Sequence, residues 1–224
     1  MAANLDVSSI TMGAFTGTLT FATNNNNITV GTFSGTGAGV RTFNMGNGTW
    51  TLTATGGNVW DLSTVTNLTF SANSSTLLFQ GSGVNTSQKV FASGGLTYNI
   101  VQINDPIGAG NQGPFSFTGS TTIATLTLTA VRHLQFGGGF TTTVTNAFSL
   151  SGTSTIQVLV NSQSPNSVAT VSVGAGVTMS WVALENIVKA GAGSITATNS
   201  FDLGGNSGMT ITAPSGVGGR IISG

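Results

Sequence analysis

The chain has very little charge. Its 224 residues include five Lys or Arg and five Asp or Glu, so 4% of the residues are charged and the formal net charge is zero. An ordinary soluble domain is about 25% charged. Because so neutral a surface gives little repulsion between molecules, we expect the protein to associate with itself or with neighbours. The balanced charge, without a basic cluster, also argues against a nucleic-acid partner.

Cysteine, a long apolar run and a leader sequence are also missing. Without cysteine, disulfides and thiolate metal sites are excluded. No stretch approaches the roughly 18 apolar residues of a membrane-spanning helix, so we expect no membrane insertion. Residues 1–6 (MAANLD) have neither the basic nor the apolar segment of a secretory signal, which predicts synthesis and folding in the cytoplasm.

The residues that are present predict a folded, all-β protein. Hydrophobic residues make up 39% of the chain and include 13 Phe and 3 Trp, which is enough for a core. Apolar residues alternate with Thr, Ser or Asn, the pattern of a half-buried strand. Gly- and Asn-rich turns separate these segments. Clear examples of such strands are 17–21, 49–53, 67–70, 75–79, 97–103, 123–128 and 156–160.

Phenylalanine recurs at intervals that suggest a coil. The intervals run from 19 to 27 residues for the series Phe21, Phe43, Phe70, Phe91, Phe117 and Phe136. Turns of roughly 20 residues with two or three short strands each predict a parallel β-helix, or β-solenoid. A β-sandwich or jelly roll, in one domain or two small ones, is the alternative. We expect one β-rich unit over 1–213 with a break near 105–114, followed by a Gly-rich tail over 214–224.

The few titratable residues do not form a recognisable catalytic motif. His133 is the single histidine, and no two of the acidic residues lie within 15 positions of each other. A glycosidase needs two paired carboxylates and a metal site needs clustered ligands. We therefore predict a protein that is not an enzyme, with no catalytic, metal or cofactor-binding residues. Two turns of a solenoid could still bring two acids together, which keeps a glycan hydrolase as a third hypothesis.

Two sets of residues are candidates for a binding surface. Aromatic side chains at Trp50, Trp60, Tyr98 and Trp181 would either contact glycans or fill a core or a subunit interface. Thr-x-Thr units resemble the threonine ranks of ice-binding proteins, although their uneven spacing argues against a flat rank. These units are Thr18/Thr20, Thr49/Thr51/Thr53, Thr125/Thr127/Thr129 and Thr141/Thr143/Thr145.

Three strand-and-turn blocks carry a family resemblance. They are 42–52 (TFNMGNGTWTL), 91–99 (FASGGLTYN) and 201–209 (FDLGGNSGM). As a set they resemble the Gly/Thr/Asn-rich β-repeat proteins of tailed-bacteriophage virions, which form tail fibres, tail tips and capsid-decorating spikes. Those families often end in a Gly-Gly-Asn-x-Ser-Gly-Trp type of motif, where this chain has Met209 after Gly-Gly-Asn-Ser-Gly.

The resemblance implies a structural protein on the virion surface. Its partners would be itself, as a homotrimer, other virion proteins and a host surface glycan. It would decorate the capsid or contribute to a tail fibre, and mediate assembly and host attachment. The alternative is a module of a bacterial surface adhesin that binds glycan or ice.

Overall fold

A computed structural model describes residues 5–13, 18–81, 87–104 and 113–215. These residues form 22 β-strands and no helix. The strands are β1 (Leu5–Thr11), β2 (Thr18–Ala22), β3 (Ile28–Ser34), β4 (Val40–Asn44), β5 (Thr49–Leu52), β6 (Gly57–Asp61), β7 (Leu68–Ser71), β8 (Thr76–Phe79), β9 (Lys89–Ala92), β10 (Thr97–Asn104), β11 (Phe115–Thr118), β12 (Thr121–Thr129), β13 (His133–Phe136), β14 (Thr141–Ser149), β15 (Val158–Ser162), β16 (Ala169–Val173), β17 (Val177–Ser180), β18 (Val182–Glu185), β19 (Ile187–Ala190), β20 (Ile195–Thr198), β21 (Phe201–Asp202) and β22 (Thr210–Ile211).

The strands stack into a solenoid with three faces. The first face contains the beginnings of β1 and β3, then β5, β8, β10 and the later halves of β12 and β14, with β17, β20 and β22 beyond them. The second face contains the ends of β1 and β3, then β6, β9, β11, β13, β15, β18 and β21. The third face contains β2, β4 and β7, then the beginnings of β10, β12 and β14, and finally β16 and β19.

The pairing between these strands is parallel throughout, as the solenoid prediction requires. A sandwich or jelly roll is built from antiparallel strands, so the parallel β-solenoid is confirmed. Stacked partners lie mostly from 18 residues apart, as for Ala169 and Ile187, to 32 apart, as for Gly57 and Lys89. The turns therefore vary in length around the roughly 20 residues expected.

Two of the sequence boundaries fall mainly on residues that the structure does not describe. Of the break near 105–114, only 113 and 114 belong to the described residues, and of the tail over 214–224, only 214 and 215 do. On either side of the first segment the sheets continue, because β10 pairs with β8 and β12 and because β9 pairs with β11.

The core is a column of large side chains inside the coil. Every second residue of a strand points inward, and the phenylalanines of the sequence series occupy these positions. Phe21, Phe43 and Phe70 are in register on the third face, whereas Phe91 and Phe117 are in register on the second. Neighbouring rings pack closely, with centroids 5.6 Å apart for Phe43 and Phe70. The regular series thus joins two columns on different faces.

Candidate functional site

Three of the four aromatic candidates lie inside the coil. Trp50 and Trp60 have no exposed surface and Tyr98 is 1% exposed. The alternation of each strand turns these side chains inward, where the two indole rings meet with centroids 5.7 Å apart. These three residues therefore cannot contact a glycan or a second subunit. Trp181 is half-buried and follows β17 with a positive φ of 56°.

Tyr98 is held by hydrogen bonds at the centre of this core. The Trp60 Nε1–H group donates to the Tyr98 hydroxyl at 3.1 Å, and the hydroxyl donates to the Ser93 carbonyl at 3.0 Å. Burial raises the pKa of Tyr98 well above that of a free phenol, and the hydrogen bond from Trp60 opposes this only in part. Both polar groups are satisfied, which is the condition for burying them.

Arg41 is used inside the protein. Its side chain is completely buried and donates to the carbonyls of Gly35, Gly39, Thr64 and Thr66. The guanidinium thereby joins two loops on successive turns, at the corner between the second and third faces. Burial lowers its pKa from the ordinary value, by desolvation. Lys89 is also buried, at 2% exposure.

The outward-facing charges gather on the second face. Asp61, Glu185 and Asp202 belong to strands of this face, as does His133, whose Nε2 lies 2.9 Å from the Asn161 Oδ1. Within the described ranges, no three His, Cys, Asp or Glu residues are grouped so as to hold a metal ion.

One pair of acids lies on neighbouring strands, as the hydrolase hypothesis would need. Asp202 on β21 pairs with Leu184 on β18, which places it beside Glu185 and one residue out of register. The Asp202 Oδ1 atom accepts hydrogen bonds from the Gly204 amide at 2.9 Å and from the Asn206 side chain at 2.6 Å. This carboxylate therefore organises the turn that follows β21.

The third face carries two runs of threonines, one on each successive strand. Thr20, Thr42 and Thr69 are in register on β2, β4 and β7. Thr97, Thr122 and Thr143 are in register on β10, β12 and β14, and Ser172 continues the run. Phe70 and Tyr98, the residues after Thr69 and Thr97, have ring centroids 5.1 Å apart, which stacks the second run on the first.

The sequence expectation about threonine spacing was wrong in its reasoning. Thr42 and Thr69 are 27 residues apart and Thr122 and Thr143 are 21 apart, yet each pair is in register. Loops at the corners absorb the difference, so uneven spacing along the chain still gives alignment across strands. The Thr-x-Thr units themselves are divided: Thr49/Thr51 and Thr125/Thr127 lie on the first face, and Thr18/Thr20 and Thr141/Thr143 on the third.

A shallow groove follows the corner between the second and third faces. Its volume is about 390 Å³. Its lining residues come from four successive turns and are Ser63, Ala92, Gly94, Gly95, Thr118, Gly119 and Phe140. Phe140 is 49% exposed and is the one strongly exposed aromatic residue in the part of the chain that the structure describes. The sequence analysis missed it, although its position after Gly137-Gly138-Gly139 marks it as a turn residue.

Comparisons with protein-family models, with curated proteins and with solved structures found no match for this chain. The described residues include no helix with the length and apolar character needed to cross a membrane.

Proposed function

We propose that this chain is a structural module of a tailed-phage virion, which decorates the capsid or forms part of a tail fibre. It acts by docking to copies of itself and to other virion proteins, as a homotrimer, and it attaches the particle to the host surface. The function is binding and not catalysis. The setting on a virus particle is taken from the resemblance of the sequence blocks, and the docking role is supported by the surface of the solenoid.

The observation that carries the proposal is the uneven distribution of charge among the three faces. The third face exposes its threonine runs, while Asp61, Glu185 and Asp202 lie on the second face. Docking a face without charges avoids the cost of removing ions from water. A parallel solenoid is also a stiff support, because its backbone hydrogen bonds join each turn to the next. The third face is therefore the surface that we assign to subunit contact.

A charge placed on the third face should break the assembly. We expect the protein to have the mass of a trimer in solution, and Thr122→Lys to shift it to a monomer, because the ammonium group would have to be desolvated at the contact. Thr32→Lys is the matched control, since Thr32 lies on β3 in the second face and pairs with Ser9 of β1. Light scattering after size exclusion measures all three masses.

A monomeric original protein would contradict the docking role, and so would a trimer that survives Thr122→Lys. The particle setting has its own test. A tagged chain expressed during phage infection should sediment with purified virions, and recovery only in the soluble fraction would contradict a place on the particle.

The threonine runs favour a second candidate function, an adhesin module that binds ice. Neighbouring strands of a sheet are about 4.8 Å apart, so the runs present hydroxyl and methyl groups at a regular repeat. Hydroxyl groups hold water by hydrogen bonds, and methyl groups order the water around them. A rigid row of both kinds of group can bind an ordered layer of water.

Ice growth distinguishes this candidate from subunit docking. An ice-binding face should slow recrystallisation of fine ice, and Thr122→Tyr should abolish the effect because the ring disrupts the row. Thr32→Tyr on the second face should leave it intact. Normal recrystallisation in the presence of the original protein would remove ice as a ligand.

A further inference from the structure

We propose that the groove ending at Phe140 is a binding site for a neutral saccharide. This inference deepens the host-attachment part of the proposed function and rests on it, and it names both the site and the chemical class of the ligand. The groove runs along the corner between the second and third faces, over four successive turns. At about 4.8 Å per turn it is about 14 Å long, which is room for two or three sugar rings.

Phe140 supplies a rigid apolar platform at one end. Its amide donates to the Gly137 carbonyl at 3.2 Å, and its own carbonyl accepts from the Thr170 amide at 3.0 Å. The ring lies against the turn, since a Cβ added at Gly137 would come within 3.0 Å of the Phe140 Cδ2 atom. The negative face of an aromatic ring attracts the polarised C–H bonds on the apolar face of a pyranose.

Glycine gives the groove a smooth floor. A Cβ at Gly94 would lie 2.1 Å from the Leu62 carbonyl oxygen, so this position admits glycine alone. Gly95 and Gly119 have open space beside them and positive φ angles of 76° and 81°, a conformation that favours glycine. The backbone is therefore accessible to a flat ligand along most of the groove.

The floor and rim also offer the polar groups that sugar hydroxyls need. Among the described residues, no hydrogen bond uses the amide N–H groups of Gly94, Gly95 or Gly119. The Ser63 hydroxyl donates to the Asp61 Oδ1 atom at 2.7 Å, which leaves its oxygen free to accept. The groove thus combines unpaired donors with an acceptor beside an apolar ring, the usual make-up of a small-molecule site.

The charge of the lining decides between kinds of sugar. No charged side chain is among the lining residues. The nearest carboxylate on this rim, that of Asp61, is occupied by the Ser63 amide at 3.0 Å and by the Ser63 hydroxyl. An acidic saccharide would find no cation here, whereas a neutral one matches the site.

Nuclear magnetic resonance titration of the full chain tests the proposal. The probes are three neutral trisaccharides (maltotriose, cellotriose and chitotriose) and sialyllactose as the acidic comparison. We expect at least one neutral probe to shift the amide signals of Gly94, Gly95 and Gly119. Phe140→Ala should weaken its binding about tenfold, the loss of one stacking contact, and Phe140→Trp should restore it.

Leu203→Ala is the matched control, because Leu203 is also an exposed apolar residue, at 53%, but lies after β21 at the far end of the solenoid. It should bind as tightly as the original protein. Three results would overturn the assignment: no binding of any neutral probe, a preference for sialyllactose, or unchanged binding by Phe140→Ala. The masses of the threonine variants are measured separately, so the failure of this site leaves the docking role standing.

Discussion

Replacing Arg41 with methionine should lower the free energy of unfolding by about 3–5 kcal/mol. Methionine has a similar length and no donors, so the carbonyls of Gly35, Gly39, Thr64 and Thr66 would lose their partner. Each buried acceptor left unpaired costs about 1–3 kcal/mol. The sum stays below the upper limit because Thr66 is exposed and its carbonyl can regain water. A denaturant titration of both proteins gives the difference.

The chain offers a control for this effect in its other described arginine. The buried Nε atom of Arg132 has no hydrogen-bond partner among the described residues. Arg132→Met should therefore cost only about 1 kcal/mol or less. Equal losses for the two variants would mean that Arg41 stabilises the protein through the packing of its aliphatic stem and not through its hydrogen bonds.

The second large effect is expected at high pH, where Tyr98 should stay protonated until the protein unfolds. The chain has one tyrosine, so the near-ultraviolet absorbance of phenolate reports on this residue alone. Because burial raises the pKa of Tyr98 in the folded protein, the unfolded chain binds fewer protons above the ordinary phenol pKa of about 10. Stability is unaffected below that pH and falls above it, by about 1.4 kcal/mol per pH unit.

Circular dichroism and phenolate absorbance, followed in the same alkaline titration, should therefore change together. Tyr98→Phe should make stability less dependent on pH above 10. It should also cost about 1–3 kcal/mol near neutral pH, because the Trp60 Nε1–H group loses its acceptor. Phenolate that appears near pH 10 while the solenoid is still folded would show that water reaches the Tyr98 hydroxyl.

These two predictions depend on residues whose environment the sequence does not reveal. Arg41 follows Val40 and precedes Thr42 in a strand, a pattern that suggests a surface cation. Trp50 and Trp60 were candidates for a ligand surface on the same grounds, and both are buried. Phe140, which no strand pattern singles out, is the exposed aromatic residue. In each case the deciding fact is which face the residue occupies and what lies on the next turn.

The sequence by itself determined the all-β class, the parallel coil and the inward phenylalanine series. Those features are local, because alternation sets the strands and the Gly- and Asn-rich turns divide them. Only the tertiary structure decided which strands stack, since loops of different length absorb the intervals between them. That stacking aligned Thr42 with Thr69, brought Trp60 to Tyr98 and laid Phe140 beside Gly119. Register between distant segments depends on the whole coil, so no short stretch of sequence encodes it.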